Sequence, residues 1–133
     1  MQVQDIMTRR IATVQQDDRL ALVRDIFDQA PFRHLLVVDD EDRLCGVITH
    51  ADMYRALSPY LATDAELERD RETLQRRAHQ VMSRDPVTIA ADASLAAAAS
   101  LMLERNISCL PVVDRQQLLG VLSWKDLLCA LMK

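Results

Sequence analysis

The sequence predicts an α/β (α+β) fold of two β-α-β-β-α repeats, packed with pseudo-twofold symmetry and joined by a helical connector, on three observations. The chain matches itself when displaced by 75 residues: Met7 falls on Met82, Thr13 on Thr88, Asp17 on Asp92, Leu20 on Leu95, and Val37-Val38-Asp39 on Val112-Val113-Asp114. Past that run the displacement drops to 74, as one extra residue in a hairpin turn allows, and Gly46, Val47 and Asp52 fall on Gly120, Val121 and Asp126. Within each copy the apolar pattern switches from helical period to short β-branched runs at matching positions. Finally, the chain has only two glycines, and they are equivalent.

Each copy opens with a short extended piece, residues 11–14 or 87–89, followed by apolar residues at helical spacing. These are Leu20, Val23, Ile26 and Phe27 in the first copy and Leu95, Ala98, Leu101 and Met102 in the second, with Asp18 and Ser94 as expected N-caps. Two β-branched runs follow, 35–39 with 44–49 and 109–114 with 118–123, each pair joined by a polar turn. A closing helix is expected over 51–57 and 125–132, and Ser58-Pro59 ends the first of these. Residues 64–80 read as one connecting helix with Leu67, Leu74, Ala78 and Val81 on one side; the alternating charges of 66–77 suit its solvated face. The expected domains are therefore 1–62, a connector over 63–80, and 81–133. A copy of about 55 to 60 residues would bury too little alone, and packing the two sheet to sheet solves that.

Half of the 133 residues are hydrophobic and 27% are charged, which excludes disorder. With one Trp, two Tyr and two Phe, the core must be aliphatic. The net charge of −4 and the lack of a basic stripe argue against nucleic acid as a partner. The first twenty residues hold no seven-residue apolar run, and the longest apolar stretch, 93–103, is interrupted by two Ser and too short to span a bilayer. A cytoplasmic protein with no membrane partner is expected. Cys45, Cys109 and Cys129 are odd in number, lack metal-ligand spacing and sit in apolar runs, so they read as buried free thiols.

The glycines open matching strings, Gly46-Val47-Ile48-Thr49-His50-Ala51-Asp52 and Gly120-Val121-Leu122-Ser123-Trp124-Lys125-Asp126. A glycine in a strand can admit a ligand to the backbone. The hydroxyl of Thr49 or Ser123 falls where the next helix begins, and the carboxylate three residues on offers two acceptor oxygens, which suits a vicinal diol. The same residues also spell a capping box, with Asp52 or Asp126 reaching back to the cap.

The duplicated unit, Asp5-Ile6-Met7-Thr8 echoed by Val81-Met82-Ser83, the Leu110-Pro111-Val112-Val113-Asp114 run and the two glycine strings resemble a pair of cystathionine-beta-synthase (CBS) domains, a Bateman module, of the stand-alone bacterial type. The resemblance covers nearly all of the chain outside the connector. It implies a regulatory module that binds AMP, ADP, ATP or S-adenosylmethionine between its copies, needs no obligatory cofactor, and signals to an effector protein, commonly as a homodimer. Carried over by position, it implies ribose contacts from Asp52 and Asp126, and phosphate or ribose contacts from Thr49 and Ser123. It gives an adenine pocket at Ala12, Thr13, Val87 and Thr88, and phosphate contacts from Arg33 and His34.

Two departures stand out. Leu36 replaces the proline expected in the first copy, and Ser108 and Cys109 replace the basic pair in the second. The second site can therefore bind weakly, take a less charged ligand or be empty. The turn at Pro31-Phe32 is able to point Arg33 outward. His34, His50 and His79 are scattered and no metal spacing, phosphate loop or nucleophile elbow is present, so an enzyme is not expected. The rival reading is a ligand-free, dimeric protein-interaction scaffold of the same fold, with both aspartates confined to helix caps.

Overall fold

The computed structural model describes residues 1–29 and 33–133; the Pro31-Phe32 turn lies outside the described residues. The elements are α1 (Val3–Ile6), β1 (Thr13–Gln15), α2 (Leu20–Gln29), β2 (His34–Val38), β3 (Leu44–Thr49), α3 (His50–Ala56), α4 (Glu68–Glu72), a 3-10 turn (Thr73–Gln75), α5 (Ala78–Val81), β4 (Ser83–Arg84), α6 (Leu95–Arg105), β5 (Cys109–Asp114), β6 (Gln117–Ser123) and α7 (Trp124–Leu131). Each copy thus carries the expected hairpin strands and two main helices, plus a one-turn helix at its head. Among the described residues no helix is long and apolar enough to cross a membrane.

The chain forms two compact units that cut across the sequence copies. One comprises Met1–Ile11, Asp42–Leu44 and Pro86–Lys133; the other comprises Ala12–Glu41 and Cys45–Asp85. The head of each copy is therefore built into the unit that holds the body of the other copy. In the Pro86–Lys133 unit, the N–H groups of Val3 and Gln4 donate to Ala93 O and Ala91 O, both at 2.9 Å. In the Ala12–Glu41 unit, the equivalent N–H groups of Ala78 and His79 donate to Asp18 O (2.7 Å) and Gln16 O (3.0 Å).

The Ala12–Glu41 unit carries a sheet in the order β1-β2-β3-β4, with β1 and β2 parallel and β3 and β4 antiparallel. Its core is Val14, Leu20, Val23, Phe27, Leu35, Val37, Ile48, Met53 and Ala78. Leu20, Val23 and Phe27 are the inward stripe of α2, as their spacing requires. All of Leu35 to Val38 is buried, which is why β2 reads as an unbroken apolar run rather than an alternating one.

The Pro86–Lys133 unit is built on the antiparallel β5–β6 hairpin, with a bulge between Val112 and Val113. Its turn residues, Arg115 (φ 50) and Gln116 (φ 72), are both left-handed, the geometry that a two-residue hairpin demands. Its core is Val3, Met7, Ala98, Met102, Leu110, Val112 and Leu122. Ser94 caps α6 by accepting from Ala97 N at 3.0 Å, and Asn106 ends it in the left-handed conformation (φ 54).

Four local expectations need correction. The stretch read as one connecting helix is broken into α4, the 3-10 turn and α5, because Arg76 and Arg77 are extended (ψ 148 and 153). Their neighbourhood pairs with the first copy instead: Leu20 N donates to Arg76 O at 2.7 Å, and Arg19 bridges Arg77. Asp18 does not cap α2; its carboxylate accepts from Gln15 N at 2.8 Å and closes the turn ahead of the helix. The strand expected over 87–89 shrinks to a single parallel bridge between Ile89 and Val112. The reason is Pro111, which has no N–H to give Val87, whereas Leu36 at the equivalent place donates to Ala12 O at 3.3 Å and lengthens β1. Among the thiols, Cys45 and Cys109 are half-buried and Cys129 is exposed, and none of the three is in a disulfide.

Candidate functional site

The glycines do not hold the backbone open. A Cβ on Gly46 would stand 2.8 Å from Ser83 O, and one on Gly120 would stand 2.7 Å from Thr8 O. What crowds each glycine is the Met-Ser or Met-Thr segment that follows α5 or α1. Gly46 pairs with Arg84 across β3 and β4, while Thr8 and Val121 exchange N–H···O bonds of 2.8 and 2.9 Å. The single glycine of each copy therefore serves close backbone approach by the exchanged segment.

Immediately beyond each glycine strand the two capping boxes form. Thr49 Oγ1 accepts from Asp52 N at 3.1 Å and Asp52 Oδ2 accepts from Thr49 N at 3.0 Å. Ser123 Oγ accepts from Asp126 N at 3.3 Å and Asp126 Oδ2 accepts from Ser123 N at 2.8 Å. The cap thus takes Oδ2 and leaves Oδ1 with its lone pairs aimed elsewhere. Around that second oxygen the copies differ. Asp52 Oδ1 accepts from Arg55 Nη2 at 2.6 Å, and the Asp52 side chain is 11% exposed under an arginine that is 74% exposed. Asp126 Oδ1 meets the Thr8 hydroxyl at 3.5 Å, the limit of a hydrogen bond.

The remaining candidate positions lie in the same two units as these carboxylates. In the Ala12–Glu41 unit, Thr13 is exposed on β1 opposite Leu36, with Ala12 half-buried before it. Arg33 is exposed and His34 opens β2 half-buried. Burial holds the His34 pKa below its usual 6.5, helped by the charges of Arg33 and His50 and opposed by Asp52. In the Pro86–Lys133 unit, Val87 and Thr88 are half-buried just ahead of the Ile89 bridge. Cys109 pairs with Ser123 across the hairpin, and burial first, then the Asp126 charge, push its thiol up to about 12. His34 and Cys109, equivalent in sequence, thus each stand within electrostatic reach of the aspartate of their own copy.

Two partners escaped the sequence reading. Arg55 lies three residues after Asp52, the spacing of neighbours on one helix face, and that spacing alone signalled it. Thr8 is remote in sequence and was visible only as the match of Ser83. Of the neighbouring rings, His50 packs on Phe27 with centroids 4.3 Å apart and on Tyr54 at 6.0 Å. A concavity of about 470 Å³ lies at the other end of β1 and β2 from Ala12 and His34, lined by Gln15, Gln16, Asp17, Asp39 and Asp40. Its acidic lining is unsuited to a phosphate, so it is separate from the site described above. Among the described residues no group of His, Cys, Asp and Glu is arranged to hold a metal.

Two copies of one mixed α and β unit, each with a capped helix whose third residue presents a carboxylate, define a tandem repeat. The chain belongs to the CBS domain family: the family model described as CBS domain matches residues 3–59 and again 78–133. A CBS domain-containing protein of Dictyostelium discoideum is 31% identical over 98% of this chain and 91% of its own length. The homoserine O-acetyltransferase of Methanococcoides burtonii is 29% identical over 94% of this chain, which spans only 23% of that enzyme. Among solved structures, CBSX2 in complex with AMP superposes with a TM-score of 0.82 at 26% identity, covering 98% of this chain and 96% of its own.

Proposed function

We propose that this chain is a regulatory module that binds an adenosine-containing ligand, AMP, ADP, ATP or S-adenosylmethionine, and passes the binding state to a partner protein. The observation that carries the reading is the repeated carboxylate: in each copy one oxygen is fixed by the helix cap and the other stands outside the cap, under the exposed Arg55 in the first copy and 3.5 Å from the Thr8 hydroxyl in the second, where a ribose hydroxyl would take the place of these partners. The complex of the similar CBSX2 with AMP supports the ligand class. Ala12 and Thr13, with Val87 and Thr88, form the adenine walls of this reading, Thr49 and Ser123 touch ribose or phosphate, and Arg33 and His34 reach phosphate. The module acts as a homodimer through α7, where Trp124, Leu128, Leu131 and Met132 follow helical spacing and remain 44%, 48%, 79% and 87% exposed.

A second reading is favoured by the capping boxes themselves: both aspartates serve helix ends, as a ligand-free scaffold of the same fold requires. A thermal-shift panel of AMP, ADP, ATP, S-adenosylmethionine and adenosine separates the two. Ligand at 100 times its dissociation constant stabilises the fold by about 2.7 kcal/mol, several degrees for a chain of this size. An unmoved melting temperature with every compound at millimolar concentration leaves the scaffold.

A further inference from the structure

From the residues that surround the two carboxylates we infer that the sites divide ligand chemistry, the Asp52 site selecting a nucleotide through its phosphate and the Asp126 site taking the uncharged nucleoside. This rests on the nucleotide-binding reading above and deepens it. Four positions carry nitrogen bases in the first copy: Arg33 and His34 where β2 begins, and His50 and Arg55 on α3. Their equivalents in the second copy are Ser108, Cys109, Trp124 and Cys129, none of which bears a positive charge. The sequence match is accompanied by a matching relation to the aspartates at two of the positions. His34 and Cys109 each sense the aspartate of their own copy, and Arg55 and Cys129 each lie three residues beyond it.

The consequences for a ligand follow from charge. Beside Asp52, an incoming phosphate meets Arg33 and Arg55, and it can draw Arg55 off the carboxylate, freeing Asp52 Oδ1 for the ribose in the same step. The pair that must break has one exposed partner, Arg55, so breaking it costs less than separating a fully buried pair. Beside Asp126 the groups at the same places are a hydroxyl, two thiols and an indole. A phosphate there would gain no cation from these four positions, leaving Lys125, next to Asp126 on α7, to face it alone on that helix, while a neutral nucleoside loses nothing. Asp126 Oδ1 is also the less occupied oxygen, meeting among the described residues only the Thr8 hydroxyl at 3.5 Å.

The test measures AMP and adenosine affinities by calorimetry on Asp126→Ala, which retains the Asp52 site, and on Asp52→Ala, which retains the other. AMP should exceed adenosine by about tenfold or more in Asp126→Ala, the worth of one charge-assisted bond. In Asp52→Ala, AMP should show no advantage. Arg33→Ala should reduce AMP and leave adenosine nearly unchanged. Because alanine also removes a helix cap, the exchange Arg55→Cys with Cys129→Arg, made at exposed ends of α3 and α7, gives an independent reading: AMP preference should weaken at the first site and appear at the second. Equal AMP preference in both aspartate variants, or an exchange that leaves preference where it was, overturns the division while leaving nucleotide binding standing. Failure of wild-type protein to bind either compound overturns the binding reading itself.

Discussion

Replacing Gly120 by alanine places a methyl group 2.7 Å from Thr8 O and 3.0 Å from Met7 Sδ. The sulfur can move; the carbonyl cannot without disturbing the pair of bonds, 2.8 and 2.9 Å long, that tie Thr8 to Val121. Each such backbone bond contributes about 0.5–1.5 kcal/mol net, and forcing an extra methyl into a packed site costs about 1–3 kcal/mol. Met7, 8% exposed, would be pushed from the core it shares with Val3 and Leu122. A loss of about 2–4 kcal/mol is expected, which at roughly 3–5 °C per kcal/mol for a chain of this length lowers Tm by about 6–20 °C. Urea unfolding and thermal melts followed by circular dichroism measure it, with Gly46→Ala as the parallel case against Ser83 O at 2.8 Å. If both variants unfold within about 0.5 kcal/mol of wild type, the size expected of an innocuous surface change, the close-approach role of the glycines is refuted.

Burial favours the neutral form of His34 and lowers its pKa, so its contribution to stability is present above pH 6.5 and is lost as pH falls from there towards the lower folded value; His34→Asn should flatten the fall in urea midpoint between pH 7.5 and about 5.5, and an unchanged slope would contradict it. Asp70, 7% exposed, accepts from Leu67 N at 2.7 Å and from the Ser58 hydroxyl at 2.7 Å, which holds its pKa below the usual 3.8. Its stabilisation is therefore present above pH 3.8 and disappears as pH falls below; Ser58→Ala should lower stability at pH 7 and make the acid loss shallower, and a variant that tracks wild type throughout would count against the network. Light scattering should report a dimer at micromolar concentration that Leu128→Glu with Leu131→Glu converts to monomer; a wild-type monomer removes the α7 interface.

The helix stripes of α2 and α6, the two hairpins and the capping boxes of α3 and α7 were legible in the sequence because local spacing decides them, and duplication gave each of these signals twice. The broken connector was not, because Arg76 and Arg77 satisfy their backbone against residues 16–20, a tertiary pairing that periodicity cannot register. The role of the glycines was misread for the same reason: the group that crowds each one, Met82-Ser83 or Met7-Thr8, belongs to the other copy in sequence. At the candidate site, composition revealed which residues carry charge. It did not reveal that Arg55 already holds Asp52, nor that burial lowers the charge available from His34.

The account stands most directly on calorimetric titration of AMP into the wild-type chain and into the double variant Asp52→Ala with Asp126→Ala. Saturable binding to wild type, weakened by about tenfold or more in a double variant that still melts cooperatively, is the expected result. Unchanged affinity in the double variant, or no binding to wild type at millimolar AMP, would contradict it.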